Sequence, residues 1–495
     1  MANFKAAERN AYNIGWEVTN EQSPDSTLLN DIVTLRERSH QLIRDNPVVA
    51  GFQQTYINNI ISYGPTIYSA SKNNIQRKQI NDYLAKRLDY CDVTGSKSIY
   101  KILEEWVSCA FADGDVLINL PMVNGQTVVE TVEAFRIDTP YTKKTERDNI
   151  LVRHGVEYYP NGVLKGFWVK KPETIDKYYA TGKEAYDFFP VFKEANGFRR
   201  RVTDLFKAPL NSRPLASRQY PIVTPAIPFI KSIDDFNEAT IIGARVAACF
   251  SAFVTVNNPA QAQKSLTTDV DPRGTTQKVT KMQPGSIFYL NKNETINFAS
   301  PNKPGDNYDS FMLRSYKTIS MCMRVPYILA FLDTDQVSYS SWRGAVLDSF
   351  KMVKRWRREL DKILKWVVST FILEGIANGE IRGGINTADL RVRWPSVGVL
   401  DVEKEERGNQ LALENGTKSI QMACDEQGTD YEEVRSERLQ ERLDAIEDQA
   451  FELKKKKELS EKYGIEFPED SQSDSGSSVS EEEDKKKRRK DDGNW

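Results

Sequence analysis

The sequence predicts an α+β fold that is mainly helical and split into several domains. Three observations carry this. At 495 residues the chain exceeds the roughly 250–300 at which one core stops growing. Apolar residues recur at helical spacing through most of it, as at Leu28, Ile32, Leu35, Leu42 and Ile43. Between residues 115 and 170 the period shifts to alternation, the mark of strands.

Taken in order, residues 1–27 are polar and expected to be a flexible N-terminus. After the first helix, Asn46-Pro47 reads as an N-cap followed by proline in the first turn. Val48, Phe52, Tyr56 and Ile60 form one stripe, ended by Gly64-Pro65. Two further helices are expected near Ile75–Tyr90 and Ser98–Ala112. Strands follow at Asp115–Leu120, Val128–Ala134, Ile150–Tyr158 and Val163–Lys170, the last two joined by the turn Pro160-Asn161-Gly162. His154 would then lie on a strand. Five prolines between Pro209 and Pro228 forbid regular structure, so that stretch is a connection.

A long helix spans about Phe229–Val254, with small residues at Ala239, Gly243, Ala244, Ala247, Ala248 and Ala252. Asn257–Thr280 is polar and turn-rich, and short strands are expected at Ser286–Leu290 and Thr295–Phe298. Asn307–Met323 is helical and stops before Pro326, because proline lacks an amide donor and clashes one turn back. An acidic, serine-rich loop follows, and Ser340 is expected to cap a helix running to about Gly375. One face of that helix carries Lys351, Lys354, Arg355, Arg357, Arg358, Lys362 and Lys365. Beyond Pro395 the chain is charged and helical, with Thr417 and Asp430 placed to cap short helices. The segment after Pro468 mixes Ser, Asp and Glu with a Lys485–Lys490 run and is expected to be disordered.

Composition narrows the function. Five cysteines, odd in number and never in a CxxC pair, argue against a disulfide framework or a zinc site. Two histidines, His40 and His154, poorly supply a triad. MANFKAAERN is too polar for a signal peptide. The apolar window Ile241–Val256 contains Arg245 and falls short of the about 20 residues a membrane span needs. With 68 basic and 70 acidic residues, the net charge of −2 disfavours a static DNA binder but suits a conduit past which a polyanion slides.

Gly95-Ser96-Lys97-Ser98 and Gly416-Thr417-Lys418-Ser419 look like the ends of phosphate-binding loops. Both lack the upstream glycine and place a residue between glycine and lysine. Asp113/Asp115, Asp269/Asp271 and Asp333/Asp335 are candidate magnesium pairs, although such pairs are usually solvated. No nucleophile has a motif around it, so the sequence points away from an enzyme and from any cofactor.

The most informative stretch is RVPYILAFLDTDQVSYSSWRGAVL, residues 324–347. Its Val325-Pro326-Tyr327, Asp335 and Ser338-Tyr339-Ser340-Ser341 match, in order and spacing, the loop segment of the lambda-type phage portal proteins, which this chain resembles. RERSHQLIRDNPVVAGFQQTYINNIISYGP, ADGDVLINL, VEAFRIDTP, RHGVEYYPNGVLKGFWVKK and MQPGSIFYLNKNETINFASPNKP resemble further stretches of that family. The likeness spans about residues 28–440. It departs at Val402, where proline is usual, and in the 209–228 connection, which lacks the family's glycines.

The resemblance implies a portal fold with wing, stem, clip and crown, closed into a ring of about twelve subunits. By order, the wing would be 28–228, the stem helices 229–256 and 307–323, and the clip 257–306. The channel loop would be 324–340, the wing-spanning helix with its following strand 341–395, the crown 396–465 and the disordered tail 466–495. Tyr327, Asp333, Thr334, Asp335, Gln336, Ser338 and Ser340 would line the channel. Arg324, Arg343, Lys354, Arg355 and Arg358 are the basic candidates for DNA or a neighbouring subunit. Implied partners are double-stranded DNA, held transiently, the terminase large subunit, the major capsid protein and head–tail adaptors. The implied place is the virion's capsid vertex, after assembly in the host cytoplasm, with no membrane. Two other classes stay open: a metal-dependent nuclease or other DNA-processing enzyme, and a monomeric capsid scaffold or adaptor.

Overall fold

A computed structural model describes residues 23–28, 31–71, 73–137, 144–145, 150–172, 185–195, 198–209, 213–249, 253–256, 269–270, 276–277, 294–297, 308–333, 338–382, 390–395, 402–427 and 431–463. The chain divides into two compact units, Met1–Gly398 and Val399–Trp495.

The first unit opens with α1 (Pro24–Leu28), α2 (Ile32–Asp45) and α3 (Pro47–Ile60). Asn46 ends one helix and starts the next, its side chain accepting from the amides of Val48 and Val49 at 3.0 and 3.1 Å. The end of the stretch expected to be flexible, residues 24–27, is instead helical. Asp25 is buried in α1, accepting from Ser217 N and Oγ at 2.7 and 2.8 Å.

Next come β1 (Thr66–Ser69), α4 (Asn74–Arg87) and α5 (Ile99–Asp113). Gly114 ends α5 at φ 91°, where a Cβ would stand 2.4 Å from the carbonyl oxygen of Tyr220. Only glycine fits, since both the left-handed backbone and the close approach exclude a side chain. Gly114→Ala should therefore lower unfolding free energy by about 2 kcal/mol or more. Gly51→Ala, with nothing near its Cβ and a helical backbone, should raise it by about 0.5–1 kcal/mol. Opposite shifts of the denaturation midpoint would check this pair.

The strands β2 (Asp115–Asn119), β3 (Met122–Val123), β4 (Gln126–Thr127) and β5 (Glu130–Glu133) follow. A second group comprises β6 (Lys144–Thr145), β7 (Ile150–Arg153), β8 (Val156–Tyr158), β9 (Leu164–Lys170) and β10 (Tyr186–Pro190). Then come β11 (Phe192–Ala195), β12 (Phe198–Arg201) and β13 (Thr203–Lys207). One antiparallel sheet runs β13-β2-β5 and another β10-β9-β8-β7-β6.

Ile150–Tyr158 is two strands rather than one. The chain reverses at His154 (φ 47°) and Gly155 (φ 79°), so His154 sits in a tight turn with its ring Nε2 2.8 Å from the Asp25 carbonyl oxygen. The strands from 186 to 207 carry no alternating signal in the sequence. Phe188 to Phe192 is continuously apolar and broken by Pro190, while Phe198–Arg201 is nearly all arginine.

After the proline-rich connection α6 (Ile227–Cys249) begins; it ends earlier than expected, and residues 253–256 form β14 (Phe253–Val256). That strand pairs with β17 (Glu294–Asn297), with the small hairpin β15 (Asp269–Val270) and β16 (Thr276–Gln277) between them in sequence. The expected strand Ser286–Leu290 lies outside the described residues. The unit closes with α7 (Tyr308–Cys322), α8 (Tyr327–Phe331), α9 (Tyr339–Ala377) and β18 (Leu390–Arg393), which pairs with β1.

The main core packs Phe52 and Tyr56 of α3, Trp106 and Phe111 of α5, Phe206 of β13, and Trp356 and Phe371 of α9. β2 divides this core from a smaller one. Its Val116 and Ile118 face the first, while Leu117 joins Val132, Val156 and Phe167 in the second.

Arg357, which the sequence places among the cations on one face of α9, is buried. It donates to the carbonyls of Asn59, Ile60 and Pro395 at 3.2, 2.8 and 2.6 Å. Burial lowers its pKa to about 10, and the guanidinium satisfies the carbonyl end of α3.

The second unit holds α10 (Val402–Glu414), α11 (Ile420–Gln427) and α12 (Tyr431–Tyr463). Thr417 does not cap α11. Its amide returns to Ala412 O and closes α10, while Ser419 Oγ accepts from Met422 N. Asp430 lies outside the described residues. Among the described residues no helix is long and apolar enough to cross a membrane.

Candidate channel-loop site

The segment between α7 and α9 is built on a rigid base. At the end of α7, Arg324 N donates to Met321 O and Val325 N to Ser320 O, a paired closure that requires a left-handed residue at position 324. Arg324 supplies it at φ 56°, a conformation costing an L side chain about 1–2 kcal/mol. Met323 and Val325 are buried on either side, and Tyr56 OH donates to Met323 O at 2.6 Å. The turn is thus tied to α3 across the core.

Pro326 then starts α8, its carbonyl accepting from Leu329 N and Ala330 N. The sequence gives no sign of this helix, since five residues are too few for a periodic signal. Phe331 packs on Phe52, Tyr316 and Tyr327, with ring centroids 5.9, 5.0 and 4.8 Å apart. Tyr327 OH donates to Asp333 Oδ2 at 3.0 Å. Burial, reinforced by that carboxylate, raises the Tyr327 pKa above its ordinary value. Asp333 is therefore anchored at the foot of the loop.

Thr334, Asp335 and Gln336 lie outside the described residues. Ser338, not Ser340, caps α9. Its Oγ accepts from Ser341 N at 3.3 Å, and Ser340, inside the first turn, meets the same hydroxyl at 3.0 Å.

Arg324, Tyr327, Asp333 and Arg355 are brought together around one cleft of about 1010 Å³. Lys317, Asp348 and Lys351 join them; no sequence pattern places these three in a site, because they come from two different helices. Lys317 Nζ stands 5.7 Å from the Tyr327 ring centroid. Arg343, Lys354 and Arg358 belong to α9 but do not line this cleft.

Of the other candidates, Asp271 lies outside the described residues, while the Asp113/Asp115 pair and the two glycine loops have structural roles. Asp115 is fully buried, and both its oxygens are taken by guanidinium groups. Arg218 Nε and NH2 donate at 2.9 and 2.8 Å, Arg36 NH2 at 3.3 Å and Gln219 N at 2.9 Å. Its partner in the sequence motif, Asp113, lies 2.8 Å from His40 Nε2, a hydrogen bond that raises the His40 pKa. Two arginines on Asp115 leave no face for a divalent cation.

The Gly95-Ser96-Lys97 loop does cradle an anion, but its own: the amides of Thr94, Ser96 and Lys97 donate to the Asp92 carboxylate at 3.1, 2.8 and 2.8 Å. Burial pushes Asp92 up, and these bonds, with the Thr94 hydroxyl, outweigh it and hold the pKa at about 2. The amides of Thr417 and Lys418 are likewise spent on Ala412 O.

A family model described as phage portal protein, lambda family, matches residues 10–357. Among solved structures, the neck of an empty GTA particle computed with C6 symmetry aligns at 12% identity and TM-score 0.44, covering 79% of this chain and 90% of that one. The neck of a native GTA particle computed with C12 symmetry gives 11% and 0.45 over the same shares. The virion of a native gene transfer agent particle gives 12% and 0.43, again over 79% and 90%. No curated protein matches.

Proposed function

This chain belongs to the lambda family of phage portal proteins, and from that premise we propose that about twelve copies close by heterologous contacts into a ring through which duplex DNA enters and leaves the capsid. In this reading α2 to β13 form the wing, α6 and α7 the stem, and β14 to β17 the clip. The 324–338 segment is the channel loop, α9 spans the wing, and α10 to α12 form the crown. The clip docks the terminase large subunit and later the head–tail adaptors, while the outer face meets the major capsid protein.

The observation that carries the reading is the construction of the loop's foot, a base locked by Tyr56, Met323 and Val325, in a segment whose sequence from Asp333 to Ser338 is polar and acidic. In this reading such a segment surrounds DNA without gripping it. Exposed apolar side chains on the stem helices support ring closure, namely Ile241 and Ile242 on α6 and Phe311 and Leu313 on α7. No covalent chemistry is required of the chain.

Mass photometry of the purified protein tests the assembly. A ring mass is expected, whereas a single-chain mass would indicate a scaffold or adaptor, and magnesium-dependent DNA cleavage would indicate a nuclease. The double variant Asp333→Lys/Asp335→Lys should assemble normally yet package or retain DNA poorly. Full heads from that variant would remove the loop from the channel.

A further inference from the structure

The cleft beneath α8 concentrates positive charge in a chain whose overall balance is slightly acidic. Lys317, Arg324, Lys351 and Arg355 share it with Asp333 and Asp348. Both carboxylates are engaged, Asp333 by the Tyr327 hydroxyl and Asp348 by Lys351 at 2.8 Å. Arg324 and Arg355 are exposed, and among the described residues neither guanidinium has a carboxylate partner.

Backbone conformation marks the same place. Six non-glycine residues are described at positive φ, and two of them, Arg324 (56°) and Leu332 (51°), bracket the five residues of α8. Strain of this kind is held in place by the surrounding structure and clusters at functional sites, and of the two residues Arg324 lines the cleft. Glycine at 324 would relax the turn and delete a cation from the cleft.

We propose that this cleft is a phosphate-binding groove that takes the backbone of DNA passing the loop, with Arg324 and Arg355 as the phosphate-contacting forks. The inference rests on the channel reading and names the side chains that meet the polyanion. A guanidinium offers parallel donors that match two phosphate oxygens, and it stays charged at any working pH. An apolar floor from Val325, Ile328 and Met352 lowers the local dielectric and strengthens the interaction. The two aspartates already in the cleft disfavour a sparsely charged acidic peptide. Duplex DNA, with one charge per roughly 1.7 Å of axis, overcomes them. The net charge of −2 keeps the grip local, so the strand is guided and still slides.

The test uses the assembled full-length protein and a labelled short duplex, with binding followed by anisotropy across a salt series. Arg324→Gly should melt a few degrees higher than the parent, bind the duplex more weakly, and show a salt slope shallower by about one for each guanidinium removed. Arg355→Gln should weaken binding in the same way without the gain in melting temperature. Unchanged duplex binding in both variants, or a lower melting temperature for Arg324→Gly, would overturn the proposal. So would loss of the ring mass in either variant, which would make the cleft an interface between copies. Absence of rings from the parent protein would instead remove the channel reading, while duplex binding would still decide whether the groove exists.

Discussion

Arg218→Met is expected to lower the free energy of unfolding by about 3 kcal/mol, the cost of leaving a buried carboxylate with only the longer Arg36 contact and one amide to offset its charge. Arg218 and Asp115 are both 0% exposed, so solvent cannot take the place of the missing guanidinium. The arginine also donates to the carbonyls of His154 and Ala134 at 3.1 and 3.3 Å, which ties the β7–β8 turn to the β13-β2-β5 sheet. Arg36 reaches the same carboxylate from α2 and donates to Asp113 O at 3.0 Å. One carboxylate thus joins a helix, a strand and the proline-rich connection.

The pH dependence follows from the same geometry. Burial alone would raise the Asp115 pKa, but Arg218 and Arg36 outweigh it and hold the carboxyl below its ordinary value of 3.8. A carboxyl depressed in the native state contributes stability that is complete above its unfolded pKa and lost as pH falls through the native value. The parent protein should therefore hold this contribution down to about pH 4 and lose it on further acidification. In Arg218→Met the depression weakens, so acid unfolding should start at higher pH. Circular dichroism during acid titration reads both effects, and coincident curves for variant and parent would contradict the assigned pairing.

Trp356→Ala is expected to cost about 3–5 kcal/mol, because a large buried aromatic leaves a cavity the surroundings fill only in part. Trp356 is 2% exposed and packs edge-on to Tyr56 at 5.7 Å and tilted on Phe206 at 5.9 Å. It is the point at which α9 meets both α3 and β13. Its near neighbour in sequence Lys354 is exposed, and Lys354→Ala should stay within about 0.5 kcal/mol. Denaturant midpoints for the two variants separate a core-packed α9 from a surface helix. A loss below about 1 kcal/mol at Trp356 would rule out the core position.

Much of the architecture is readable from the chain because it rests on short-range rules. The Asn46-Pro47 start, the Pro160–Gly162 turn and the stop before Pro326 are each set by neighbouring residues. Expectation and structure part where two distant segments meet. Arg357 looks like one more surface cation in a basic run, and the carbonyl end of α3, nearly 300 residues earlier in the chain, together with the Pro395 carbonyl, draws it inside. His154 fits an alternating strand until Asp25 and Arg218 bind the turn it occupies. Asp115 looks like half of a metal pair, and two arginines from separate segments claim it.

The sequence by itself determined the helix-rich α+β class, the order of most elements and the polar character of the loop. Each follows from periodicity, caps and chain-breaking residues acting within a few positions. Only the tertiary structure decided which charges are buried as ion pairs and which remain in the cleft beside α8. Burial is a property of what lies opposite a side chain, and nothing in the local pattern specifies that.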